Sequence, residues 1–371
     1  MKKIFVLTGK RGGYGAMKPM LKLFEKSRKF QLRLIVTDQH LDNKFGSTIN
    51  EIHKDFKNLI KIPLNQEKDT SCSRVQAMSQ ITKRMGEIFE KSKPHYLILY
   101  GDRSEVLAAA LAAIHFDIII VHIQGGDVTG NIDDVIRNSV SKLSHIHLVS
   151  NANSKSNLIQ MGEKKERIFI VGDNHIDPII NKNFPDKKFI KKKFNLQKKL
   201  VIFLFHPETL NKSKKYSEIR EILVFLLSLD INLIAIYPCS DPGYEKIIKI
   251  LKEFREKKNF QLFKNLESQE FLGLMNVASL LVGNSSCGII EAPYFSLRAI
   301  NLGERQNNRL RSNNITDLKY DITTFKKAVL KILTQKKENF KKLYGNGRTS
   351  EKIFSVIDKV DKQYKKFLKK S

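Results

Sequence analysis

The chain has 371 residues, 66 Lys and Arg against 38 Asp and Glu, and a formal net charge of +28. Its length allows two domains of ~100–200 residues, and a hydrophobic fraction of 41% supports buried cores. The lysines are spread along the chain without a basic-and-aromatic motif, so we expect no nucleic-acid partner. Lysine-rich solvated surfaces, or attraction for a small phosphorylated ligand, account for the charge.

The amino terminus and the cysteines indicate a cytoplasmic protein. The apolar part of the basic amino terminus, Ile4–Leu7, is too short for a signal peptide and predicts a buried strand. No run of about 18 apolar residues predicts a membrane-spanning helix, so we expect no membrane partner. Three scattered cysteines argue against a disulfide framework or a zinc site, and we expect no metal: Cys72, Cys239 and Cys287.

Strand and helix signals alternate through the first half. Apolar runs predict strands at Ile4–Leu7, Leu32–Thr37, Ile60–Ile62, Tyr96–Tyr100, Ile118–Ile123, His145–Val149 and Ile168–Val171. The predicted helices between them include Met17–Lys26, Arg74–Lys91, Glu105–His115 and Lys155–Met161. This alternation is typical of a doubly wound parallel α/β sheet.

The alternation breaks around Pro178–Lys199 and then restarts. Strands are predicted at Val201–Phe205, Asn232–Tyr237, Phe260–Phe263, Leu280–Val282 and Arg298–Asn301. Helices are predicted at Tyr216–Leu229, Tyr244–Lys257, Glu267–Val277, Cys287–Tyr294, Ile322–Phe340 and Glu351–Leu368, with a polar loop at Gly303–Thr316. We therefore predict two Rossmann-like domains, 1–178 and 179–350, facing a cleft, and a terminal helix, 351–371, that crosses back to the first.

Acidic residues follow two neighbouring predicted strands of the first domain. Asp102 follows Tyr96–Tyr100, Asp127 follows Ile118–Ile123, and Asp133 opens the next helix. Chemistry in open parallel sheets collects at the carboxyl ends of strands, and crowded carboxylates suit general acid–base work. Helix capping is the plainer interpretation of each acid taken alone.

Three further strand ends carry candidate binding groups, each with a structural alternative. Thr8–Gly15 is a glycine-rich strand–helix turn with Arg11, which suits an anion or is a plain tight turn. Gly283–Glu291 offers hydroxyls at a helix start for phosphate, or a serine cap with a capping-box Glu. His206 ends the first strand of the second domain, where a lone histidine is catalytic or structural.

Together these stretches resemble the hydrolysing UDP-N-acetylglucosamine 2-epimerases of the sialic-acid type, which have a GT-B-like fold. The matching motifs are T-G-x-R-x-x-Y-G at Thr8–Gly15, H-L-x-x-x-F-G at His40–Gly46, G-D-R-x-E at Gly101–Glu105, H-I-x-G-G at His122–Gly126, D-x-x-x-R at Asp133–Arg137, F-H-P-E-T at Phe205–Thr209, G-N-S-S-x-G-I-I-E at Gly283–Glu291 and N-L-G-x-R-Q at Asn301–Gln306. They span most of the chain.

The resemblance implies UDP elimination from UDP-N-acetylglucosamine through a 2-acetamidoglucal, then water addition to give N-acetylmannosamine for nonulosonic acid synthesis. It implies no cofactor, a nucleotide-binding second domain and a homo-oligomer, a dimer or tetramer. The implied acid–base residues are Asp102, Asp127 and Asp133, with His206 beside the diphosphate. The implied binding residues are Arg11 and Arg137 for phosphate or sugar, Ser285, Ser286 and Gly288 for the diphosphate, and Glu291 for the ribose.

Departures from the family pattern leave the sugar open. Positions that differ from the usual residues are Gly13, Asp38, Asp127, Asn138 and Pro238–Gly243. A UDP- or GDP-linked 2,4-diacetamido-2,4,6-trideoxyglucose, on the legionaminic acid route, is therefore an alternative substrate. A GT-B glycosyltransferase and a non-catalytic nucleotide-sugar sensor are competing functions that the same fold would allow.

Overall fold

Parallel strands of the computed structural model form two separate sheets. The structure describes residues 1–46, 48–64, 70–129, 132–208 and 215–368, so Thr209 of the F-H-P-E-T motif lies outside the described residues. One compact unit comprises 1–128, 132–181 and 344–371, and the other comprises 129–131 and 182–343. The predicted class, two doubly wound α/β sheets, is confirmed.

The first unit contains a seven-stranded sheet in the order β3-β2-β1-β4-β5-β6-β7. Its strands are β1 (Lys2–Thr8), β2 (Phe30–Thr37), β3 (Leu59–Ile62), β4 (Tyr96–Tyr100), β5 (Ile119–Ile123), β6 (Ile146–Val149) and β7 (Ile168–Ile170). The α-helices among them are α1 (Arg11–Lys26), α2 (Ile49–Asp55), α3 (Ser71–Ser92), α4 (Ser104–Ala113), α5 (Ile132–Leu143), α6 (Ala152–Gln160) and α7 (Ile176–Ile180). Every residue of β4 and β5 is buried, and both strands are largely apolar, because helices cover both faces of the sheet.

The second unit contains a six-stranded parallel sheet in the order β10-β9-β8-β11-β12-β13. Its strands are β8 (Lys199–Leu204), β9 (Ile231–Ile236), β10 (Phe260–Phe263), β11 (Leu280–Gly283), β12 (Ala299–Leu302) and β13 (Ile315–Leu318). Its α-helices are α8 (Lys187–Lys193), α9 (Lys215–Ser228), α10 (Tyr244–Glu253), α11 (Ser268–Val277), α12 (Cys287–Ile290) and α13 (Ile322–Thr334). Across the described residues of both units, no helix is long and apolar enough to span a membrane.

Helix α1 begins at Arg11, six residues before the predicted start at Met17. Pro19 therefore lies inside the helix, where a proline removes one backbone donor. Burial of Tyr14 and Leu21 against the core outweighs that local cost. The turn after β1 is consequently shorter than predicted, and its later glycines belong to the helix.

Two predictions for the end of the second unit are wrong in their bounds. The polar loop predicted at Gly303–Thr316 gives way to β13 (Ile315–Leu318), a half-buried edge strand that pairs with β12. The helix predicted at Ile322–Phe340 ends at Thr334. The sequence signal for β13 is weak because an edge strand of four residues buries little apolar surface.

The carboxyl-terminal segment belongs to the first unit and contributes α14 (Thr349–Asp361) and α15 (Tyr364–Leu368). Helix α14 packs on α1, where the rings of Phe24 and Phe354 lie 5.2 Å apart. The buried carboxylate of Asp177 accepts from the backbone N–H groups of Thr349 at 2.8 Å and Ser350 at 2.6 Å. A side chain from α7 thus caps α14.

We expect Asp177→Ala to lower the free energy of unfolding by about 2 kcal/mol, because it leaves two N–H groups at a buried helix start without their acceptor. Urea denaturation measures the change. Asp321→Ala, which removes the exposed cap of α13, is the control and should cost about 1 kcal/mol. A loss at Asp177 no larger than the control's would show that the carboxylate contributes only ordinary capping.

Candidate functional site

Strand order reverses once in each sheet, between β1 and β4 in the first unit and between β8 and β11 in the second. The carboxyl ends on either side of such a reversal diverge, and ligands of open α/β sheets bind there. The Asp102 turn follows β4, and the serine-containing turn follows β11. The topology therefore places the main predicted site residues beside the two reversal points.

A buried histidine on β5 fixes the turn that carries Asp102. Gly101 has a left-handed backbone with φ of 80°, and its carbonyl accepts from Nε2 of His122 at 2.8 Å. Because a neutral imidazole has one N–H, Nδ1 must accept the hydrogen bond from the Ser141 hydroxyl at 3.0 Å. Burial lowers the pKa of His122 to about 3, although the bond to Gly101 opposes this. His122 is thus a neutral positioning residue that sequence analysis placed only in a motif.

The guanidinium of Arg137 organises the acids of this turn. Arg137 is 1% exposed and donates to the carboxylates of Asp102 and Asp134, and to the backbone oxygen of Asp127 at 2.8 Å. Asp102 and Asp134 side chains are 16% and 17% exposed, so they form the accessible part of the cluster. The family resemblance implies that Arg137 holds phosphate or sugar, and Asp134 is not among the predicted acids. The i,i+3 spacing of Asp134 and Arg137 on a helix is the sequence signal that could have identified Asp134 as a partner of Arg137.

The other two predicted acids are Asp127 and Asp133. The carboxylate of Asp127, 6% exposed, accepts from the Ser154 hydroxyl at 2.6 Å. Gly126 has φ of 76°, and a Cβ there would lie 2.1 Å from the backbone oxygen of Ser154, so the turn packs directly against α6. Asp133 is half-buried in the first turn of α5. The structure therefore gathers Asp102 with Asp134, and directs the Asp127 carboxylate toward α6.

The end of β1 abuts a buried acid that sequence analysis did not select. Arg11 is half-buried at the start of α1. A Cβ on Gly9 would lie 2.5 Å from the Oε1 atom of Glu105, which is 1% exposed and 3.5 Å from Nε of Arg103. Among the described residues, the Oε2 atom of Glu105 has no hydrogen-bond partner. Burial raises the pKa of this carboxyl.

In the second unit, backbone and amide contacts orient His206. The side chain of Asn284 accepts from His206 N–H at 2.7 Å and donates to its carbonyl at 2.9 Å. The backbone N–H of Cys239 donates to Nδ1 of His206 at 3.1 Å. A neutral His206 therefore carries its proton on Nε2 and presents a donor there. Asn284 and Cys239 follow strands that neighbour β8 in the sheet but are distant from it in sequence, so sequence spacing does not reveal these contacts.

The turn after β11 does not form the capping box considered from the sequence. Ser286 is the N-cap residue of α12, yet its side chain makes no capping hydrogen bond. Ser285 and Ser286 are half-buried, and Glu291 is 5% exposed at the end of α12. The plain capping alternative is therefore contradicted for the Ser286 hydroxyl.

Gly288 faces the sheet. A Cβ at Gly288 would lie 3.3 Å from Ala299 and 3.4 Å from Leu281, so the missing side chain lets α12 pack closely. The predicted helix Cys287–Tyr294 is interrupted, because Pro293 lies in a separate 3₁₀ turn. Gly288 thus has a packing function in the fold, and contact with a diphosphate stays a prediction.

Among the described residues of both units, no group of three or more His, Cys, Asp or Glu side chains is arranged to hold a metal ion.

Comparison with known proteins gives one consistent family. The family model described as UDP-N-acetylglucosamine 2-epimerase matches residues 22–358. The hydrolysing UDP-N,N'-diacetylbacillosamine 2-epimerase of Legionella pneumophila is 34% identical over 96% of both chains. The hydrolysing GDP/UDP-N,N'-diacetylbacillosamine 2-epimerase of Campylobacter jejuni is 37% identical over 85% of this chain and 84% of that protein.

A solved structure shows the same fold. The UDP-GlcNAc 2-epimerase of Methanocaldococcus jannaschii, in complex with UDP-GlcNAc and UDP, superposes with a TM-score of 0.81. It is 20% identical, and the match covers 97% of this chain and 100% of that one. The predicted GT-B-like class is confirmed by this similarity.

The buried imidazole of His122 makes stability depend on pH. Its folded-state pKa, about 3, lies below the ordinary 6.5, so the unfolded chain binds the proton first and stability falls as pH drops from 6.5 toward 3. We expect His122→Gln to remove about 1.4 kcal/mol per pH unit from that slope. Urea denaturation at pH 7, 6 and 5 measures it.

A residual slope is expected in His122→Gln, since burial also lowers the pKa of His40 to about 4. Equal slopes in the variant and the parent protein would contradict a neutral, buried His122.

Proposed function

The chain belongs to the UDP-N-acetylglucosamine 2-epimerase family, and we propose that it is a hydrolysing nucleotide-sugar 2-epimerase acting on UDP-N,N'-diacetylbacillosamine. The observation that carries the choice of sugar is the name shared by the Legionella and Campylobacter relatives, which match most of the chain. The sequence motifs favour UDP-N-acetylglucosamine as the substrate. The names of the two relatives favour the alternative substrate, the 2,4-diacetamido-2,4,6-trideoxy sugar, which is N,N'-diacetylbacillosamine. UDP-N-acetylglucosamine becomes the second candidate.

The proposed reaction begins with elimination. A carboxylate takes the proton from C2 of the sugar, the C1–O bond to the diphosphate breaks, and a C1=C2 double bond forms. Water then adds its hydroxyl to C1, while C2 receives a proton on the opposite face. The products are UDP and a free 2-epimeric sugar, and no electrons are exchanged with a cofactor.

Asp102 is the carboxylate that the geometry favours for proton transfer. It lies at the strand-order reversal, is partly exposed, and is oriented by Arg137 and by the turn that His122 holds. Fixed orientation of an acid–base group lowers the reorganisation needed during proton transfer. Asp134 shares the same guanidinium, so we add it to the predicted acids Asp127 and Asp133.

Residues of the second unit are proposed to bind the nucleotide. The Nε2–H of His206 would donate to a diphosphate oxygen and stabilise the charge that develops as UDP departs. The hydroxyls of Ser285 and Ser286 would donate to other phosphate oxygens. The Ser286 side chain makes no capping hydrogen bond to α12. Glu291 would accept from the ribose.

The deciding experiment follows each UDP-sugar in heavy water by proton NMR, without an acceptor. The proposal predicts UDP and free sugar with deuterium at C2, formed faster from UDP-N,N'-diacetylbacillosamine than from UDP-N-acetylglucosamine. A UDP-linked epimer would instead identify a non-hydrolysing epimerase. Binding of both UDP-sugars without turnover would identify a sensor, and turnover that requires an acceptor would identify a glycosyltransferase.

For Asp102→Asn we expect turnover to fall by ~10²-fold or more, because the amide cannot accept the C2 proton. Affinity for UDP, measured by calorimetry, should stay near that of the parent protein. The turnover of three further single variants, Asp127→Asn, Asp133→Asn and Asp134→Asn, ranks the contributions of the other acids. Unchanged turnover in Asp102→Asn would refute its role.

For Ser286→Ala we expect UDP binding to weaken by ~1 kcal/mol, because one hydrogen bond to the diphosphate is lost. Calorimetric titration with UDP measures it. Ser228→Ala, at an exposed serine near the end of α9, is the matched control and should leave the dissociation constant unchanged. Equal constants for the two variants would remove Ser286 from the binding site.

A further inference from the structure

A histidine that none of the family motifs includes lies in a buried hydrogen-bond network of the first unit. One carboxylate oxygen of Asp173 accepts from the backbone N–H of His175 at 2.9 Å and from its Nδ1 at 2.8 Å. The other oxygen accepts from Nε2 of Gln124 at 2.6 Å. Asp173 is fully buried, whereas the His175 side chain is 19% exposed. The histidine is thus the member that reaches toward the surface.

This network lies at the strand ends beside Asp102. Tyr100 is the last residue of β4, two positions before Asp102, and its hydroxyl is 3.1 Å from Nδ1 of His175. Gln124 directly follows β5, and its Oε1 lies 3.7 Å from where a Cβ on Gly101 would be. His175 and the turn of Asp102 therefore share the edge where the strand order reverses.

The charge of Asp173 determines the protonation of the ring. Burial alone would raise the pKa of this carboxyl, but His175 and the hydrogen bonds that it and Gln124 donate hold the pKa below its usual range. An ionised Asp173 requires a proton on Nδ1 of His175. Nε2 is then the ring nitrogen that the geometry of the imidazole directs away from Asp173.

The hydrogen bonds of the Asp173 side chain are additional to those that anchor the backbone of this loop. The backbone of Asp173 is already anchored, because its N–H donates to the Tyr344 carbonyl at 2.7 Å and its carbonyl accepts from the Thr349 hydroxyl at 3.1 Å. Burying an ionised carboxylate is costly, and Gln124 adds the strain of a left-handed backbone with φ of 66°. Such costs concentrate where a side chain must be held in one orientation.

We propose that His175 is a specificity-determining residue whose Nε2 forms a hydrogen bond with a hydroxyl or acetamido group of the bound sugar. Asp173 and Gln124 are positioning residues that hold the imidazole in this orientation. The inference rests on the proposed function for the identity of the ligand, a UDP-linked amino sugar, and extends it to a residue outside the predicted acids.

Two substitutions separate recognition from structure. In His175→Asn the amide nitrogen takes the place of Nδ1, so the bond to Asp173 is kept and Nε2 is lost. In His175→Gln the amide reaches the place of Nε2, and the bond to Asp173 is weakened. If His175 recognises the sugar, His175→Asn should impair binding of the UDP-sugar more than His175→Gln does. If His175 only stabilises the loop, His175→Gln should be the more damaging substitution.

We expect His175→Asn to raise KM for the UDP-sugar about 10-fold, with the melting temperature and the dissociation constant for UDP alone close to those of the parent protein. His175→Gln should keep KM within about threefold despite a lower melting temperature. The matched control is His95→Gln, at a half-buried histidine just before β4 on the opposite, amino edge of the sheet. It should leave KM unchanged.

An unchanged KM in His175→Asn, or losses in both variants that follow their melting temperatures, would overturn the proposal. If the parent protein releases no free sugar from either UDP-sugar, the proposed function fails. Calorimetric titration with the intact UDP-sugar and with UDP then still tests His175: a selective loss of UDP-sugar affinity in His175→Asn supports the assignment, and equal affinities refute it.

Discussion

The buried guanidinium of Arg137 is the interaction on which the acidic site of the first unit depends. Two carboxylates, Asp102 and Asp134, and the backbone oxygen of Asp127 meet this single cation. Without it, two partly buried negative charges would repel one another. Since its partners come from the turns after β4 and β5 and from α5 itself, one side chain ties three segments of the chain into a single edge.

Neutral polar side chains also fix the backbone at these strand ends. His122 holds the Gly101 turn through a ring that stays uncharged because it is buried. In the second unit Asn284 plays a comparable part, since its amide binds both backbone groups of His206. In each unit, then, a polar residue on a neighbouring strand or turn fixes the strand-end turn of a proposed site residue. This arrangement gives fixed geometry without adding another buried charge.

The carboxyl-terminal segment links the fold of the first unit to its strand-end loops. Tyr344 and Thr349 bind the backbone of Asp173, and Asp177 caps α14 in return. The loop that carries His175 is therefore held from both sides by segments far apart in sequence. Such a loop can bear a partly exposed histidine in one orientation, which is what recognition of a small polar ligand requires.

The fold class, the two runs of alternating strands and helices, and the strand ends at which Asp102 and His206 lie can all be predicted from the sequence, because buried parallel strands have a strong apolar signal. The sequence did not determine the partners of those side chains. The pairs Arg137 with Asp102, Asn284 with His206, and Gln124 with Asp173 depend on which strand ends become neighbours. These pairings are visible in the folded structure alone, since hydrogen bonds and ion pairs act over a few ångströms in space, whatever the separation along the chain.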